Sequence, residues 1–436
     1  MPYDIIIGRD EADKKAFGDK GLVYIGKGYV KMGQYTSLSN KIFMDVARSH
    51  VVLVAGKRGS GKSYTLGVIT EELSNLPKEV SQNIASLIFD TMGIYWTMKY
   101  ENEKDKELLR EWNLQPKNLP VRVFVPIEHF EDYVEKGIPV DEKFALDVTE
   151  MTSEDWIITF GLNMTEPIGV LIQRAISELS REGYYNISRI ISKLQEDVKT
   201  SEEIKNSGIA LFEAADNWGI FAKRREDATK VIDLVKGGMT SVLDLSVYNS
   251  VGAFNVRALA ISLISRKIFN ERMDARKKEE IDSVSRKLEF FSEQTKRETP
   301  LVWIFIDEAH EFLPLDAKTV ATDALIQLLR EGRQPGISVV LATQQPGQIH
   351  HDVMTQSDIV ISHRLTSKTD IEALNYIMQS YVLESVKRYM DELPSLKGSA
   401  IILDDNSERI YPARIHPRFT WHGGEAPTAI KAEKRL

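Results

Sequence analysis

The sequence Val51-Val52-Leu53-Val54-Ala55-Gly56-Lys57-Arg58-Gly59-Ser60-Gly61-Lys62-Ser63 decides the fold of this chain. It places the pattern G-x-x-x-x-G-K-S between an apolar run and a helical pattern that begins near Thr65, which is the context of a phosphate-binding loop. Three glycines let the backbone curl so that successive N–H groups point at phosphate oxygens, next to the positive end of the following helix. A glycine-rich turn that binds nothing is the alternative, and the flanking strand and helix favour phosphate binding.

Two residues of this loop have separate predicted roles. Lys62 is expected to reach the β- and γ-phosphates of a nucleoside triphosphate, and the Ser63 hydroxyl to bind Mg²⁺. The residues predicted to contact the nucleotide are Gly56, Arg58, Gly59, Ser60, Gly61, Lys62, Ser63 and Tyr64.

Length, composition and charge exclude several classes of protein. A chain of 436 residues is long enough for a large core and for about two to three domains. No apolar run approaches the roughly 18 to 20 residues of a membrane span, and the N-terminus is not a signal peptide, so we expect a soluble, cytoplasmic protein. With no cysteine, disulfides and thiolate metal sites are excluded. The net charge of −8 means that any nucleic-acid contact must come from a local basic surface.

Buried strands alternate with helices along most of the chain, which predicts a doubly wound, largely parallel α/β sheet. Predicted strands cover 85–90, 121–126 and 240–246, with a mainly helical stretch from 141 to about 236 between the last two. Residues 21–33 are predicted to form a glycine-punctuated hairpin, followed by a strand at 41–46.

Two charged segments have an open interpretation. A long helix is predicted from about Val256 to Arg276, and its polar continuation at 277–298 is expected to be a mobile helical excursion or a loop. The triplet Lys223-Arg224-Arg225 could contact a phosphate backbone, although a short charge run is more often a solvated face.

A second chemical pattern is the apolar strand Leu301–Ile306, which delivers the adjacent acids Asp307 and Glu308. Downstream of a phosphate-binding loop, Asp307 is predicted to hold Mg²⁺ and Glu308 to orient and polarise the attacking water. A strand that merely ends in solvated acids is the alternative. An acid placed to activate water predicts hydrolysis of ATP.

A third pattern follows in the next predicted strand, 337–343, which ends in Gln344-Gln345-Pro346. Gln344 is predicted to hydrogen-bond the γ-phosphate or the lytic water, whereas the alternative is a glutamine that caps a turn. Arg333 and Arg330 are predicted to lie near the carboxyl edge of the sheet on a subunit face. There, one of them could act in trans as an arginine finger, and a surface salt bridge is the alternative.

Together these motifs resemble the HerA/FtsK superfamily of P-loop ATPases, specifically the HerA-type DNA translocases. The resemblance rests on 56–63, Ile306–Pro314, Arg330–Arg333 and Thr343–Pro346, with 244–246 and the segments 415–418 and 421–424 in the same pattern. It implies a RecA-like core, ATP and Mg²⁺ at the interfaces of a homohexameric ring, pumping of double-stranded DNA and frequent partnership with a nuclease. It also implies that Gln344 is the sensor and Arg333 the trans finger.

With the resemblance, the chain divides into five predicted segments. They are a reduced N-terminal β segment at 1–48, the first part of a RecA-like ATPase core at 49–140, a helical insertion at 141–236, the second part of the core at 237–425, and a tail at 426–436.

The sequence also departs from the family pattern. Only 55 residues precede the loop, whereas HerA proteins typically begin with a barrel of about a hundred residues. The turn 90–95 lacks the His and Glu of the family pattern D-x-H-G-E-Y, and Gln345 stands where an arginine is common.

Two rival functions differ in kind. The string 307–310 also spells the DEAH signature of superfamily 2 helicases, but 245 positions separate Lys62 from Asp307 and no second helicase domain follows. The other rival keeps the ATPase ring but makes it a scaffold or regulatory switch for an effector, or part of a secretion machine, without processive DNA pumping.

Overall fold

The structure is a computed structural model that describes residues 3–32, 35–249, 254–286, 297–378 and 386–424. The predicted tail at 426–436 lies outside these ranges, as does most of the second half of the segment 277–298.

Strands of the described residues all join one sheet. Its thirteen strands are β1 (Ile5–Ile7), β2 (Leu22–Met32), β3 (Tyr35–Asp45), β4 (Val51–Ala55), β5 (Ile84–Asp90), β6 (Val121–Pro126), β7 (Glu142–Phe144), β8 (Thr240–Asp244), β9 (Leu301–Ile306), β10 (Ile337–Thr343), β11 (Ile359–His363), β12 (Ser399–Asp404) and β13 (Arg409–Ile415). Their order across the sheet is β1-β3-β2-β13-β12-β11-β4-β10-β9-β5-β8-β6-β7.

Helices of the described residues connect these strands. They are α1 (Glu11–Phe17), α2 (Lys62–Ser74), α3 (Lys78–Ser81), α4 (Lys106–Glu111), α5 (Phe130–Glu135), α6 (Ser153–Thr159), α7 (Pro167–Leu179), α8 (Ile187–Gln195), α9 (Glu202–Asp216), α10 (Val231–Leu234), α11 (Phe254–Arg286), α12 (Thr322–Glu331), α13 (His351–Gln356), α14 (Lys368–Met378) and α15 (Val386–Glu392). Among these, none is both long and apolar enough to cross a membrane.

The central strands are parallel and buried on both faces. The strand β4 pairs in parallel with β10 and β11, and β9 lies between β10 and β5. Leu53 and Ala55 pack into one apolar cluster, whereas Val52 and Val54 pack into the other on the opposite face. Because helices cover both faces, these strands are continuous apolar runs rather than alternating ones. The predicted α/β class with a mostly parallel sheet is confirmed.

The N-terminal strands correct one prediction. The hairpin predicted within 21–33 is wrong, because Leu22–Met32 is the single strand β2, which pairs antiparallel with β3. Gly26 serves close approach rather than a turn, because a Cβ there would lie 2.2 Å from the carbonyl oxygen of Arg414 on β13. Through the pairing of β2 with β13, the N-terminal strands join the central sheet.

The long helix α11 also differs from its predicted end. It continues past Arg276 to Arg286, so that the described part of the charged segment 277–298 begins as helix. Ion pairs stabilise this continuation, because the Glu279 carboxylate contacts Arg272 at 3.3 Å and Arg297 at 2.6 Å. Between β7 and β8 lie the helices α6 to α10, in the stretch predicted as a helical insertion, and the division into segments remains an interpretation.

Candidate nucleotide site

Polar residues gather where β4, β10, β9 and β5 end. Because these strands are parallel, their carboxyl ends meet at one edge of the sheet, where α/β proteins commonly bind ligands. The loop after β4 is fixed to this edge by a hydrogen bond from the Gly56 N–H to the Thr343 carbonyl oxygen, at 3.2 Å.

The glycines of the loop are required by its geometry. Gly59 and Gly61 have φ of +73° and +117°, a region that side chains disfavour. A Cβ on Gly56 would lie 2.4 Å from the Ser60 Oγ and 2.8 Å from the Cβ of His363. The loop therefore closes tightly over the end of β11.

The loop leaves several polar groups without partners. Among the described residues, the backbone N–H groups of Arg58, Gly59 and Gly61 have no hydrogen-bond partner, and the buried Ser60 Oγ also has none. Lys62 opens α2 with its side chain buried, and its Nζ lies 3.4 Å from the Lys57 carbonyl oxygen. Unpaired N–H groups beside a helix N-terminus and a buried lysine suit a phosphate chain.

Ser63 and Asp307 meet at this edge. The Ser63 Oγ donates a hydrogen bond to the Asp307 Oδ2 at 2.5 Å. A hydroxyl and a carboxylate oxygen are the hard ligands that Mg²⁺ prefers, so the pair fits this ion. Within the described ranges, no cluster of three or more His, Cys, Asp or Glu side chains could hold a metal, so further ligands would be phosphate and water oxygens.

Glu308 is held in an unusual backbone conformation beside this pair. Its φ is +50°, which is uncommon for a residue other than glycine and is a strained position often found at functional sites. Burial, and then the neighbouring Asp307 charge, raise the pKa of Glu308 to about 7. Its buried Oε2 has no hydrogen-bond partner, although His310 Nδ1 lies 3.6 Å away. A carboxylate with such a pKa is matched to accepting a proton near neutral pH.

The structure brings Gln344 to the same edge. It directly follows Thr343, whose carbonyl oxygen accepts the Gly56 N–H, and its side chain is half-buried. Lys62, Ser63, Asp307, Glu308 and Gln344 therefore lie on one edge, and their catalytic roles remain predictions.

Arg333 lies elsewhere than predicted. It precedes the first residue of β10, Ile337, and so lies at the amino edge of the sheet rather than the carboxyl edge. The physical reason is that α12 runs back across the sheet before β10 starts. Seven strand residues, about 23 Å, separate this edge from the loop of the same chain. Arg330 is paired with Asp352 at 2.7 Å.

Three site neighbours were missed by sequence reasoning. The Tyr95 O–H donates to the Ser63 carbonyl oxygen at 3.3 Å and the Asp307 Oδ2 at 3.4 Å. The His363 Nδ1–H donates to the Ser399 carbonyl oxygen, so its Nε2 accepts from the Thr65 hydroxyl at 2.8 Å. His310 Nδ1 lies 3.2 Å from the Thr343 Oγ1.

The sequence contained a signal for each of these neighbours. All three are polar residues just after, or at the end of, an apolar strand, which is the pattern expected of residues at the edge of the sheet. Burial lowers the pKa of His363 to about 4, so its imidazole is neutral as this geometry requires.

The far half of α2 is held by the chain's C-terminal segment. Arg418 is fully buried, and its Nε donates to the Glu71 Oε1 at 2.7 Å. The Phe419 N–H donates to the Glu71 Oε2 at 2.9 Å, and the Thr420 hydroxyl also donates to this carboxylate. The Arg418 N–H donates to the Tyr64 hydroxyl at 2.6 Å, so the segment reaches the first turn of α2.

The basic triplet has local partners. Lys223 pairs with Glu128 at 2.7 Å, and Arg224 pairs with Asp227 at 2.8 Å. Exposed ion pairs of this kind fit the alternative of a solvated face.

Comparison with models of known protein families identifies the family of this chain. The model of the HerA helicase central domain matches residues 29–268, and the model of the HerA-like C-terminal domain matches residues 283–404. The chain belongs to the HerA family of P-loop ATPases. The resemblance carried by the motifs is therefore confirmed.

Curated HerA relatives match over most of this chain. A DNA double-strand break repair helicase HerA of Sulfolobus acidocaldarius is 22% identical over 93% of this chain and 70% of its own length. Those of Sulfurisphaera tokodaii and Pyrococcus furiosus are 23% and 26% identical, over 84% and 40% of this chain. The chain spans only 64% and 32% of the length of these last two relatives.

Solved structures share the fold. VirB4 of Thermoanaerobacter pseudethanolicus superposes with a TM-score of 0.52 at 10% identity, over 91% of this chain and 96% of its own. The bacterial conjugative coupling protein TrwB gives a TM-score of 0.52 at 13% identity, over 86% and 87%. At these identities the likeness concerns the fold alone.

Proposed function

We propose that this HerA-family chain is an ATP-hydrolysing ring motor that translocates double-stranded DNA, in DNA-end processing, repair or defence, together with a nuclease. The observation that carries the proposal is the hydrogen bond between Ser63 and Asp307 beside the unpaired Glu308 carboxylate. It joins the phosphate-binding loop to two acids, one suited to a metal and one suited to water.

Each residue at the edge has one role in this proposal. The unpaired N–H groups of the loop and the Lys62 ammonium bind the phosphates of ATP. Ser63 and Asp307 hold Mg²⁺, which when bound neutralises developing phosphate charge. Glu308 orients the attacking water and takes its proton, and its pKa of about 7 suits this step. The Gln344 amide senses the γ-phosphate from the end of β10.

DNA as the substrate rests on the relatives. Those that match most of this chain are named DNA double-strand break repair helicases. Since the aligned part covers about two thirds of those proteins, the substrate and the nuclease partner are carried over as a hypothesis. The net charge of −8 requires that the DNA-binding surface be local.

The position of Arg333 supports the proposed ring. Because it lies at the amino edge, it cannot reach its own loop across about 23 Å of strand, and it can complete a site only on a neighbouring subunit. We propose a homohexamer in which the exposed Arg333 acts as the trans finger. Arg330 is the second candidate, and its pair with Asp352 would first have to open.

DNA-dependent ATP turnover tests the function. Phosphate release should rise several-fold when long duplex DNA is added at low salt, where phosphate contacts are strongest, and fall back as salt is raised. Lys62→Ala should abolish turnover in both conditions, which controls for contaminating ATPases. Turnover that long duplex DNA leaves unchanged would contradict the motor and favour a scaffold or switch.

Mixed rings test the finger. Arg333→Ala and Lys62→Ala subunits should each be inactive alone, and their mixture should regain activity because some interfaces pair an intact Lys62 with an intact Arg333. If rings shown to be mixed regain none, Arg333 is not the trans finger.

A further inference from the structure

Three basic residues lie side by side on adjacent strands. Lys27 on β2 pairs in register with Arg414 on β13 and with Lys41 on β3. Residues paired in register project to the same side of a sheet, and neighbouring strands are about 4.8 Å apart. The three side chains therefore form one row of positive charge, here called the basic row.

The basic row is not neutralised by the protein. None of its three members forms an ion pair with a carboxylate in the part of the chain that the structure describes. Like charges directly opposite each other on neighbouring strands destabilise a sheet. The three residues lie on interior strands of an acidic chain. Neutral residues at these positions would give a more stable sheet. An external anion would remove the cost.

An aromatic ring supports the row from one side. The Lys27 Nζ lies 4.9 Å from the centroid of the Trp112 ring, and the Arg414 guanidinium lies 5.9 Å from it. Trp112 itself is 6% exposed, so it is a fixed part of the surface. Cation–π contacts leave the charges in place, because the ring carries no net charge. They hold two of the three charges in a defined position.

The row lies near the nucleotide edge of the sheet. Arg414 pairs in register with Ser399, the first residue of β12, whose carbonyl oxygen accepts from His363. The His363 ring in turn contacts Thr65, and a Cβ on Gly61 would lie 3.4 Å from this ring. A short series of contacts thus connects the phosphate-binding loop to one end of the row.

We propose that Lys41, Lys27 and Arg414 bind the phosphate backbone of double-stranded DNA. An even row of cations suits a regularly repeated anion, and binding through phosphates needs no particular base sequence, as a motor requires. The inference rests on the proposed function and deepens it, because it assigns the substrate to a surface. The Arg414 end of that surface is connected through Ser399 and His363 to the loop that would hydrolyse ATP.

Salt dependence of DNA binding tests the row. The triple variant Lys27→Gln, Lys41→Gln, Arg414→Gln and the wild type are titrated with a fluorescent duplex at several salt concentrations, with binding followed by anisotropy. The slope of log affinity against log salt should become shallower by about 0.9 for each lost phosphate contact, or about 2.7 for all three. Lys27→Arg, which keeps the charge, should retain the wild-type slope.

A matched control removes three charges that have protein partners. The variant Lys223→Gln, Arg224→Gln, Arg189→Gln changes the net charge equally, but each residue is paired with a carboxylate, namely Glu128, Asp227 and Glu182. Its slope should equal that of the wild type. The melting temperature of the row variant should stay close to the wild-type value, and this separates lost binding from lost folding. Relief of repulsion between like charges opposes the loss of the cation–π contacts with Trp112 and of the hydrogen bond from Arg414 to the Lys397 carbonyl oxygen.

Several outcomes would overturn the inference. An unchanged slope in the row variant, while the wild type binds duplex and is stimulated by it, would refute the row and leave the motor intact. Equal changes of the slope in both triple variants would show that net charge, and not the basic row, causes the effect. Retained DNA binding with lost binding of polyglutamate would assign the row to an acidic protein partner. No binding of duplex by the wild type at low salt would refute both the row and the motor.

Discussion

The loop that leads into helix α2 and the second half of that helix differ in how their polar groups are hydrogen-bonded. At its N-terminal end, backbone N–H groups of Arg58, Gly59 and Gly61 have no partner within the described residues, and Glu308 nearby has a buried oxygen without one. In its second half, the fully buried Glu71 accepts hydrogen bonds from Arg418, Phe419 and Thr420. The loop before α2 together with Glu308 is here called the unsatisfied end, and the second half of α2 is called the saturated end.

This difference separates residues expected to act in ATP turnover from residues expected to stabilise the fold. The buried Ser60 Oγ and Glu308 Oε2 cost free energy while they lack partners, so they persist where a ligand supplies the missing bonds. The N–H groups of the exposed Arg58 and Gly59 are open to the same ligand. A saturated buried charge contributes nothing further to ligand binding, but removing its partner leaves an isolated charge in the core. Substitutions at the first end should change turnover, and substitutions at the second should change unfolding.

The largest effect is expected at Glu308. Glu308→Gln removes the proton-accepting carboxylate and leaves the Ser63–Asp307 pair, so ATP should still bind while phosphate release falls by about 10²- to 10⁴-fold. Equilibrium binding of a fluorescent ATP analogue and a phosphate-release assay measure the two quantities. Asp316→Asn, at an exposed acid of the same loop, is the control and should leave turnover unchanged. Full activity of Glu308→Gln would remove Glu308 from the mechanism.

Next in size is the effect at the saturated end. Arg418→Ala leaves the fully buried Glu71 charge without its ion pair, and the free energy of unfolding should fall by about 3–5 kcal/mol. Urea denaturation followed by circular dichroism measures it, with the exposed Arg409→Ala as the control. Combining Arg418→Met with Glu71→Gln should cost less than Arg418→Ala alone. A loss below about 1 kcal/mol in Arg418→Ala would show that the pair contributes little.

A smaller effect, visible only through pH, is expected at a second saturated cluster. His50 contacts the Asp358 Oδ2 at 2.7 Å and the Asp45 Oδ2 at 3.1 Å. Burial alone would lower the pKa of His50, but the hydrogen bonds and charges of these two carboxylates outweigh it and raise the pKa from 6.5 to about 9.

The raised pKa of His50 determines how the free energy of unfolding changes with pH. The stabilising contribution of His50 is fully present below pH 6.5 and is lost as pH rises through about 9, with a total of about 3 kcal/mol. The free energy of unfolding, measured from pH 6 to pH 9.5, should therefore fall more steeply in the wild type than in His50→Asn. Parallel curves for the two proteins would show that His50 is not charged in the folded state.

The smallest effect, on ATP turnover, is expected at Tyr95, which lies next to the unsatisfied end. Its hydroxyl makes only long hydrogen bonds, of 3.3 Å and 3.4 Å, to Ser63 and Asp307. Tyr95→Phe should slow ATP turnover by no more than about tenfold, which corresponds to about 1.4 kcal/mol. The exposed Tyr100→Phe should have no effect. A loss above a hundredfold for Tyr95→Phe would make its hydroxyl part of the catalytic machinery.

Local pattern was enough to predict the sheet and the unsatisfied end. Apolar runs identify buried strands, and polar residues that follow parallel strands must meet at one edge, so Ser63, Asp307 and Gln344 could be placed together from spacing alone. The fold class and the family followed from the same motifs.

Contacts between distant parts of the chain could not be predicted in this way. Arg418 and Glu71 are 347 positions apart, and no sequence pattern in either segment indicates that the two side chains make contact. Gly26 gives the same signal in the sequence whether it allows a turn or the close approach of β13, so the single strand β2 was predicted as a hairpin. Arg333 was assigned to the wrong edge although the order of the chain indicates the right one, because a residue that precedes a parallel strand lies at the amino edge of the sheet.

Class-averaged electron microscopy of Glu308→Gln, with ATP and duplex DNA, tests most directly the claim that the unsatisfied edge belongs to a ring motor. Since this variant should hold ATP without hydrolysing it, the closed assembly should accumulate. The account predicts six-fold rings with duplex DNA in the central channel. Single subunits, or rings that leave the duplex outside, would contradict it.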